Sequence, residues 1–419
     1  MTIKMRRWLF YAFLVLFIFV SVGVVSYSRG WRINISDYKI KFQKTGAIFI
    51  ETRPKGAVIK INGETFKDKS GLTQRGTLIS NLLPKTYEVK IEKEGYQPYR
   101  KNIKVEPDFV AEIVQTVLVP GEFKKTLISI PKPADDFWIS SGKIVFKNNN
   151  VLYYLKNSSL FKLRGDKLIA WSEDGGKIIL LDSKNKVHYL YELANLNKTL
   201  NINAILSNLS KKADVRQIAF HPADSSRLIV QSENSLYILD LNRLQLETLI
   251  QEPISFWTIK NPNIYYFIQA SGNYSLNSFN LILKTKTAIA QSLNYQIAKL
   301  PNSLISPDNE KIAFLDNNGK LNIYFLEDYQ RDIDLNFYEG LIVKNIFWYK
   351  DSSHLFIEYS DANSRETASI DFIEIDNRPP INRYTVFEKI SNFYYEPSLD
   401  RLYFIQSSDK LRNLYFIEL

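Results

Sequence analysis

A chain of 419 residues is too long for one ordinary domain unless it forms a large closed architecture, so we expect two folded units. Aromatic residues make up 14% of the chain, against only 16 Gly and 15 Pro, which excludes long disordered stretches. There is no Cys, which excludes disulfide bonds, thiolate metal sites and thiol nucleophiles.

The net charge of +10 is concentrated near the N-terminus. Residues 1–130 hold 22 Lys and Arg against 11 Asp and Glu, which leaves 32 and 33 for the rest of the chain. A basic region beside a membrane attracts anionic lipid head groups or acidic wall polymers. Solvated strand faces explain the same excess equally simply. Nucleic acid is not an expected partner, because an exported basic domain rarely meets it.

The first predicted element is an apolar run from Trp8 to Ser28 without a charged residue. About 20 apolar residues in a helix span a bilayer core. Lys4, Arg6 and Arg7 precede the run, which favours a cytoplasmic N-terminus under the positive-inside rule. We therefore expect residues 1–7 in the cytoplasm, a single-pass transmembrane helix over 8–28, and the bulk of the chain outside the cytoplasm.

A cleaved signal peptide is the alternative interpretation of this run. Signal peptides have a shorter apolar segment, and small residues follow it at the cleavage site. Here the apolar run is long enough to span a bilayer, and it ends with Tyr27, Ser28 and Arg29. Arg29 and Arg32 weaken the charge asymmetry across the helix. We expect an uncleaved anchor followed by a juxtamembrane linker over residues 29–45.

Residues 46–120 alternate between apolar and polar side chains, which predicts a small β domain. Ala47–Phe49 and Val58–Ile61 are typical of strands, and Asn62-Gly63 is a hairpin signal because a type I′ turn needs positive φ at both central positions. Tyr87, Val89 and Ile91 share one face of a further strand.

This segment resembles the PEGA family, named for a Pro-Glu-Gly-Ala signature. Lys55 replaces the signature Glu, Gln74 stands where the family often has Pro, and Lys85 stands where it usually has Gly. The resemblance implies a β-sandwich of a surface-exposed, often anchored, prokaryotic protein, closer to carbohydrate-binding or adhesion modules than to enzymes. Turn geometry explains the matching Gly and Pro positions without any binding role. The matching residues are Pro54, Gly56, Ala57, Asn62, Gly63, Pro84, Tyr87, Gly95 and Tyr96.

The region 124–419 carries a repeat of roughly forty residues, the period of propeller blades. Each copy starts with an apolar or aromatic pair, passes a polar turn and continues as two alternating strands, as in AWSEDGGKIILLDSKNKVHYLYEL from residue 170. A four-stranded sheet of this kind buries both faces only by stacking on its neighbours, and closing into a ring removes exposed edges. We predict a β-propeller of seven blades, with six or eight as alternatives.

The last repeat ends after three strands, the third being Leu414–Leu419. We expect its missing fourth strand to be Lys125–Ile130, which precedes the first repeat and would close the ring. The stretch Ser306-Pro307-Asp308 with Lys311-Ile312-Ala313-Phe314 resembles the WD-like repeats of the propeller in the bacterial Tol envelope system. That resemblance implies a fold and no function.

Candidate catalytic and metal-binding residues are few. The three histidines, His188, His221 and His354, fall in different repeats and lack metal-pair spacing, so structural roles are expected. The acidic turns Asp182-Ser183-Lys184-Asn185 and Asp316-Asn317-Asn318-Gly319 offer oxygens to Ca²⁺ but lack the full loop with its bidentate Glu. We predict no metal, no cofactor and no catalytic residue.

Three tryptophans, Trp171, Trp257 and Trp348, stand at the start of repeats. Stacking on sugar rings is one role for such side chains, and core packing is the role we expect here.

The favoured hypothesis is a membrane-anchored, extracytoplasmic binding or scaffolding protein of the prokaryotic cell envelope, whose propeller presents a face to a protein or glycan. One alternative is an envelope hydrolase or lyase with carboxylates converging in the central channel, because propellers also host enzymes. Another is a structural surface-layer component, which would self-associate. The sequence indicates neither the ligand nor the oligomeric state.

Overall fold

The structure, a computed structural model, divides into two compact units, and each is described by itself. One unit comprises Met1–Phe123 with Asp376–Asn382, and the other Lys124–Ile375 with Arg383–Leu419. The structure describes residues 3–419 except 29, 37–38, 71–73, 211–213, 271–272, 294–296, 300–304, 317–319, 327–332, 336–337, 339, 362–367 and 409–410.

The first unit begins with helix α1 (Ile3–Ser28), which has no buried residue and is long and apolar enough to cross a membrane. A signal sequence has the same properties. After it, strands β1 (Trp31–Ser36) and β2 (Lys39–Lys44) pair as an antiparallel hairpin. The span predicted as a linker therefore contains regular structure.

Two sheets form the sandwich that the PEGA resemblance implied. The sheet order is β6-β3-β9 in one and β5-β4-β7-β8 in the other, with β3 and β9 parallel. Ile48 and Ile50 from one sheet and Ile59, Val89 and Ile91 from the other share one buried core. The strands are β3 (Gly46–Arg53), β4 (Val58–Ile61), β5 (Glu64–Lys67), β6 (Thr77–Leu82), β7 (Thr86–Glu92), β8 (Tyr99–Lys104) and β9 (Val110–Val117).

Asp68 organises the loop that follows β5. Its carboxylate accepts hydrogen bonds from the Gly56 N–H at 2.9 Å, the Thr52 hydroxyl at 3.0 Å and the Thr77 hydroxyl at 3.0 Å. The Ser70 N–H and hydroxyl donate to it as well. Burial opposes ionisation of Asp68, but these donors outweigh it and lower its pKa to about 2.

The segment Asp376–Asn382 packs against β8 within the same unit. The side chain of Lys101 is completely buried, and its Nζ donates to the Asp376 carbonyl at 2.9 Å and lies 3.7 Å from the Asp376 carboxylate. The Asn102 N–H donates to the Pro379 carbonyl at 2.8 Å, and Asn382 bonds both main-chain groups of Arg100. Strand β8 is thus covered along its outer side, where an unpaired edge would invite aggregation.

The second unit is the predicted β-propeller, and its described strands form seven blades. Five blades are separate four-stranded antiparallel sheets. Consecutive blades share apolar clusters, as where Val145 and Leu152 of the first blade meet Ile178 and Leu180 of the second. The strands of these five blades are β11 (Asp136–Ser140), β12 (Lys143–Asn148), β13 (Val151–Lys156) and β14 (Ser159–Lys162); β15 (Lys167–Trp171), β16 (Lys177–Asp182), β17 (Val187–Glu192) and β18 (Asn195–Asn201); β19 (Gln217–His221), β20 (Asp224–Ser232), β21 (Ser235–Asp240) and β22 (Gln245–Gln251); β23 (Ile254–Lys260), β24 (Asn263–Ala270), β25 (Asn273–Asn280) and β26 (Thr285–Leu293); and β27 (Ile297–Lys299), β28 (Lys311–Asp316), β29 (Leu321–Phe325) and β30 (Ile333–Leu335). Helix α2 (Ile202–Ser210) connects the second blade to the third.

The last two blades are joined in one seven-stranded sheet. The long strand β34 pairs through its first half with β33 and through its second half with β35, so it is the outermost strand of blade six and the innermost of blade seven. The strands are β10 (Thr126–Ile128), β31 (Leu341–Trp348), β32 (His354–Asp361), β33 (Ala368–Glu374), β34 (Arg383–Glu396), β35 (Arg401–Ser408) and β36 (Leu411–Glu418).

The predicted closing strand is present. Thr126, Leu127 and Ile128 pair antiparallel with Phe416, Tyr415 and Leu414, which makes β10 the fourth strand of the last blade. Buried residues of the first blade, such as Phe137 and Phe146, pack against Ile405 and Leu414 of the seventh. The ring is therefore closed by a strand from before the first blade.

The Ser-x-Asp turns fix the hairpins of two blades in the same way. In one turn the Ser172 hydroxyl donates to Asp174 and accepts the Lys177 N–H at 2.8 Å. In the other, Ser306 and Asp308 repeat this arrangement, and the Asp308 N–H donates at 3.0 Å to the Ser352 hydroxyl of the next blade. These turns are structural elements that also link adjacent blades.

Closing the ring gives a first prediction. Leu414→Ala removes a side chain that is completely buried where the closing strand meets the last blade, and large-to-small changes at such sites cost about 2–5 kcal/mol. Leu127→Ala, on the paired strand, is the matched control, since Leu127 is 57% exposed and its loss should cost under about 0.5 kcal/mol. Denaturant unfolding of the full-length protein measures both. If both variants lost the same small amount of unfolding free energy, the contact between Leu414 and the closing strand would contribute little to the stability of the ring.

Asp68 gives a pH-dependent prediction for the first unit. Its folded pKa of about 2 lies below the ordinary value of 3.8, so its contribution to stability is complete above about pH 4 and is lost as the pH falls toward 2. We expect the stability difference between wild type and Asp68→Asn to shrink over that range, measured by unfolding at each pH. Glu92, whose pKa is lowered to about 2 by Lys60 and Lys90, titrates equally in both proteins. A difference that stays constant with pH would contradict this role.

Candidate functional site

One cavity of the propeller lies at its central channel and has a volume of about 1040 Å³. Blades one, two, three, six and seven line it, mostly through their innermost strands, and blade two adds Leu181, Lys186 and His188 from its second and third strands and the turn between them. Asp136 and Lys167 stand at the beginnings of their strands, whereas Trp348 and Tyr395 stand at or near the ends of theirs. The innermost strands of a propeller run side by side around the central channel. Since residues from both ends of these strands line the cavity, the cavity extends along the channel.

Three cations line this cavity: Lys167, Lys186 and Arg216. All three residues are exposed, and in the described part of the chain their side chains have no ion-pair partner. The exposed Asp214 is likewise unpaired within the described residues.

A second carboxylate in the cavity, that of Asp136, is held by the protein. It accepts hydrogen bonds from the Phe137 N–H at 2.8 Å and from the Asn392 side chain. Burial raises the pKa of Asp136, although these donors and Lys147 oppose the shift. The free charge in the cavity is therefore three cations against one exposed carboxylate.

Aromatic side chains form much of the remaining wall. Trp138 and Tyr394 are half-buried, while Phe347 and Trp348 are buried behind the surface. Phe347 packs edge-on against Tyr394 at 5.4 Å between ring centroids. Burial, together with Glu396, raises the pKa of Tyr394 to about 12, so its phenol is a neutral donor at physiological pH.

A smaller cavity of about 370 Å³ adjoins the first, because Arg216 and Gln217 line both. Its other polar lining residues include Gln231, Asn234, Ser255 and Gln269 from blades three and four. The Gln231 side chain is used within the fold, since it donates to the Ile254 carbonyl at 2.8 Å and accepts from the Trp257 indole at 3.1 Å.

The three histidines do not come together. The backbone N–H of His188 donates at 2.8 Å to the Asn203 side chain, which also lies 3.2 Å from the His188 Nδ1. His221 Nδ1 accepts the Ala223 N–H at 3.2 Å, and His354 pairs with Asp351 at 2.7 Å. Burial lowers the pKa of both His188 and His221. Of the three, only His188 lines the cavity.

The candidate calcium turns have a structural explanation where they are described. Asp182 accepts the Asn185 N–H at 3.1 Å and its side-chain amide at 2.8 Å, which is ordinary turn bonding. Residues 317–319 of the other turn lie outside the described residues. Within the described chain, no group of three acidic or histidine side chains is placed to hold a metal ion.

The tryptophans at the starts of repeats pack as expected. Trp257 is completely buried and Trp348 nearly so, and Trp171 packs against the core shared by the first two blades. Trp138, which the repeat pattern did not single out, also lines the cavity, and its side chain is partly exposed there.

The family-signature residues lie in turns and core of the sandwich. Asn62 and Gly63 have φ values of 48° and 87°, the positive values that a type I′ turn requires, and they join β4 to β5. Pro54 and Gly56 lie in the turn between β3 and β4, Ala57 is buried after them, and Gly95 and Tyr96 lie between β7 and β8. Pro84 precedes β7, in which the buried Tyr87 donates its hydroxyl to the Leu83 carbonyl at 3.0 Å. These residues hold turns and core together and form no cavity with one another.

Sequence reasoning singled out His188 and Trp348 but missed the charged residues of the channel. Lys167, Asp214 and Arg216 are single charged residues at or just before the first strand of a repeat. That position is the one feature of the sequence that could have indicated them. Nothing in the local sequence distinguishes them from solvated charges.

Residues 45–118 match the PEGA domain family, which agrees with the resemblance carried by the signature residues. No curated protein matches the chain. Three similar solved structures are the hydrazine synthase of Kuenenia stuttgartiensis (10% identity, 70% of this chain, 97% of that one, TM-score 0.47), the putative TolB of Agrobacterium tumefaciens (12%, 55%, 84%, 0.40), and PorZ, a surface component of the type-IX secretion system of Porphyromonas gingivalis (16%, 70%, 38%, 0.44). At these identities and scores, no function is transferred from them.

Proposed function

We propose that the protein is a membrane-anchored, extracytoplasmic binding protein of the prokaryotic cell envelope, non-catalytic, whose propeller channel receives a protein segment or a glycan. The observation that carries the proposal is the channel cavity, in which Lys167, Lys186 and Arg216, which have no ion-pair partner among the described residues, lie with partly exposed aromatic rings. Charged side chains without partners are available to a ligand, and binding sites are concave, largely apolar and contain few polar groups.

The apolar helix and the PEGA domain support the envelope location. Lys4, Arg6 and Arg7 precede the helix, so the positive-inside rule orients its N-terminus toward the cytoplasm. In this arrangement the helix anchors the chain, and the PEGA domain is a spacer or a wall contact. The excess of basic residues over 1–130 would attract anionic lipid or wall polymers.

Topology is testable because the chain has no Cys, so one introduced thiol is the only one present. We expect a membrane-impermeant maleimide to label Glu94→Cys, at an exposed turn, in intact spheroplasts, and to label Lys4→Cys only after lysis. The reverse pattern would overturn the orientation. Loss of residue 4 from the mature protein, measured by intact mass, would show a cleaved signal peptide.

Binding at the channel is tested by photo-crosslinking in the cell envelope. A benzophenone attached at Lys186→Cys, in the cavity, should give discrete adducts, whereas the same group at Lys162→Cys, exposed on an outer strand, should not. Equal crosslinking from both positions, or none from either, would contradict a channel ligand.

A hydrolase is the second candidate, because the cavity contains two carboxylates in different environments. Burial raises the pKa of Asp136, whereas Asp214 is exposed. In enzymes, two carboxylates in different environments can take the separate roles of general acid and general base. Turnover of a crosslinked glycan by the purified full-length protein, abolished by Asp136→Asn, would replace the binding protein with this candidate.

A further inference from the structure

The chemical class of the channel ligand can be inferred from the lining of the two adjoining cavities. This inference rests on the proposed function, since it concerns the same channel. Arg216 and Gln217 line both the larger cavity and the smaller one, so the two cavities adjoin at blade three, and we call the two together the groove.

The charge of the groove favours an anion. Lys167, Lys186 and Arg216 are exposed and unpaired among the described residues, against one free carboxylate, Asp214. His188 adds no charge at neutral pH, because burial lowers its pKa. A charged hydrogen bond to a carboxylate or phosphate is about twice as strong as a neutral one.

The neutral lining favours rings that carry hydroxyl groups. Trp138 and Tyr394 pack against the core with one side and are partly exposed in the cavity. Aromatic rings exposed in this way can stack on the apolar faces of sugar rings. In the smaller cavity, Asn234, Ser255 and Gln269 are exposed and have no partner within the described residues. Amides and hydroxyls both donate and accept, which matches sugar hydroxyls.

We propose that this groove binds an acidic oligosaccharide. Its carboxylate or phosphate groups lie against Arg216 and the two lysines, its rings stack on Trp138 and Tyr394, and its hydroxyls bond Asn234 and Gln269. An acidic peptide such as poly-aspartate would satisfy the cations and could bond the side-chain amides, but it has no ring to stack on Trp138 and Tyr394.

The test uses the full-length protein in detergent and calorimetric titration at about 0.1 M ionic strength, where loosely placed charges are screened beyond about 10 Å. The probes are an oligogalacturonate, its methyl-esterified form and hexa-aspartate. Esterification keeps the sugar rings and removes the charge, while hexa-aspartate keeps the charge and removes the rings. We expect binding of the oligogalacturonate alone.

Matched variants separate the groove from the basic N-terminal region, which would also attract polyanions. Arg216→Met should weaken oligogalacturonate binding at least about tenfold, the loss expected for a charged hydrogen bond, whereas Lys162→Met on an outer strand should change it less than about twofold. Both residues are exposed, so unchanged melting temperatures verify that the fold is retained.

Four results would overturn the inference. Binding of hexa-aspartate that depends on Arg216 would assign an acidic peptide to the channel and leave the binding role intact. Oligogalacturonate binding that is equal in both variants would assign it to another surface. Absence of oligogalacturonate binding, with crosslinks from Lys186→Cys still present in cells, would reject the sugar class and keep the channel as a site. Absence of both would reject the proposed function as well.

Discussion

The propeller depends on the pairing of a three-residue strand, Thr126–Ile128, with Leu414–Phe416 at the other end of its sequence. Each blade has two apolar faces and covers them only by packing against the blades on either side. Without the closing strand, the last blade would present an unpaired edge, and the contact of Phe137 and Phe146 with Leu414 would lose its support. This short pairing therefore joins the last blade to the segment that leads into the first.

The channel is a consequence of that closure. Its aromatic wall joins Trp138 of the first blade to Tyr394 of the seventh, which stand on opposite sides of the closing contact, and its cations come from blades two and three. A ring that opened at this point would separate the two aromatic faces. The shape of this cavity therefore depends on the same closure that stabilises the ring.

Buried and exposed charges have different roles in this protein. Asp371 is completely buried, yet it pairs with Arg383 and accepts hydrogen bonds from Tyr338 at 3.1 Å, Tyr359 at 3.2 Å and Thr385 at 2.9 Å. The described partners of Asp371 are all internal, which is what a buried carboxylate requires. The cations of the channel are the opposite case, because they are exposed and have no described partner. This contrast is why we give the first group a structural role and propose a binding role for the second.

The sequence by itself determined the features that depend on neighbouring residues: the apolar run of the helix, the turn at Asn62-Gly63, the alternation in β7 and the repeat that predicts a propeller. Each follows from local geometry, where a pattern of two to twenty residues decides the outcome. Even the closing strand was predictable, because an incomplete last repeat requires a fourth strand. Tertiary structure alone decided that the juxtamembrane residues form a hairpin, that β34 serves two blades, and that Lys167, Asp214 and Arg216 line one cavity with Trp138. Five blades contribute side chains to this cavity, so the set exists in no single stretch of sequence and is assembled only when the ring closes.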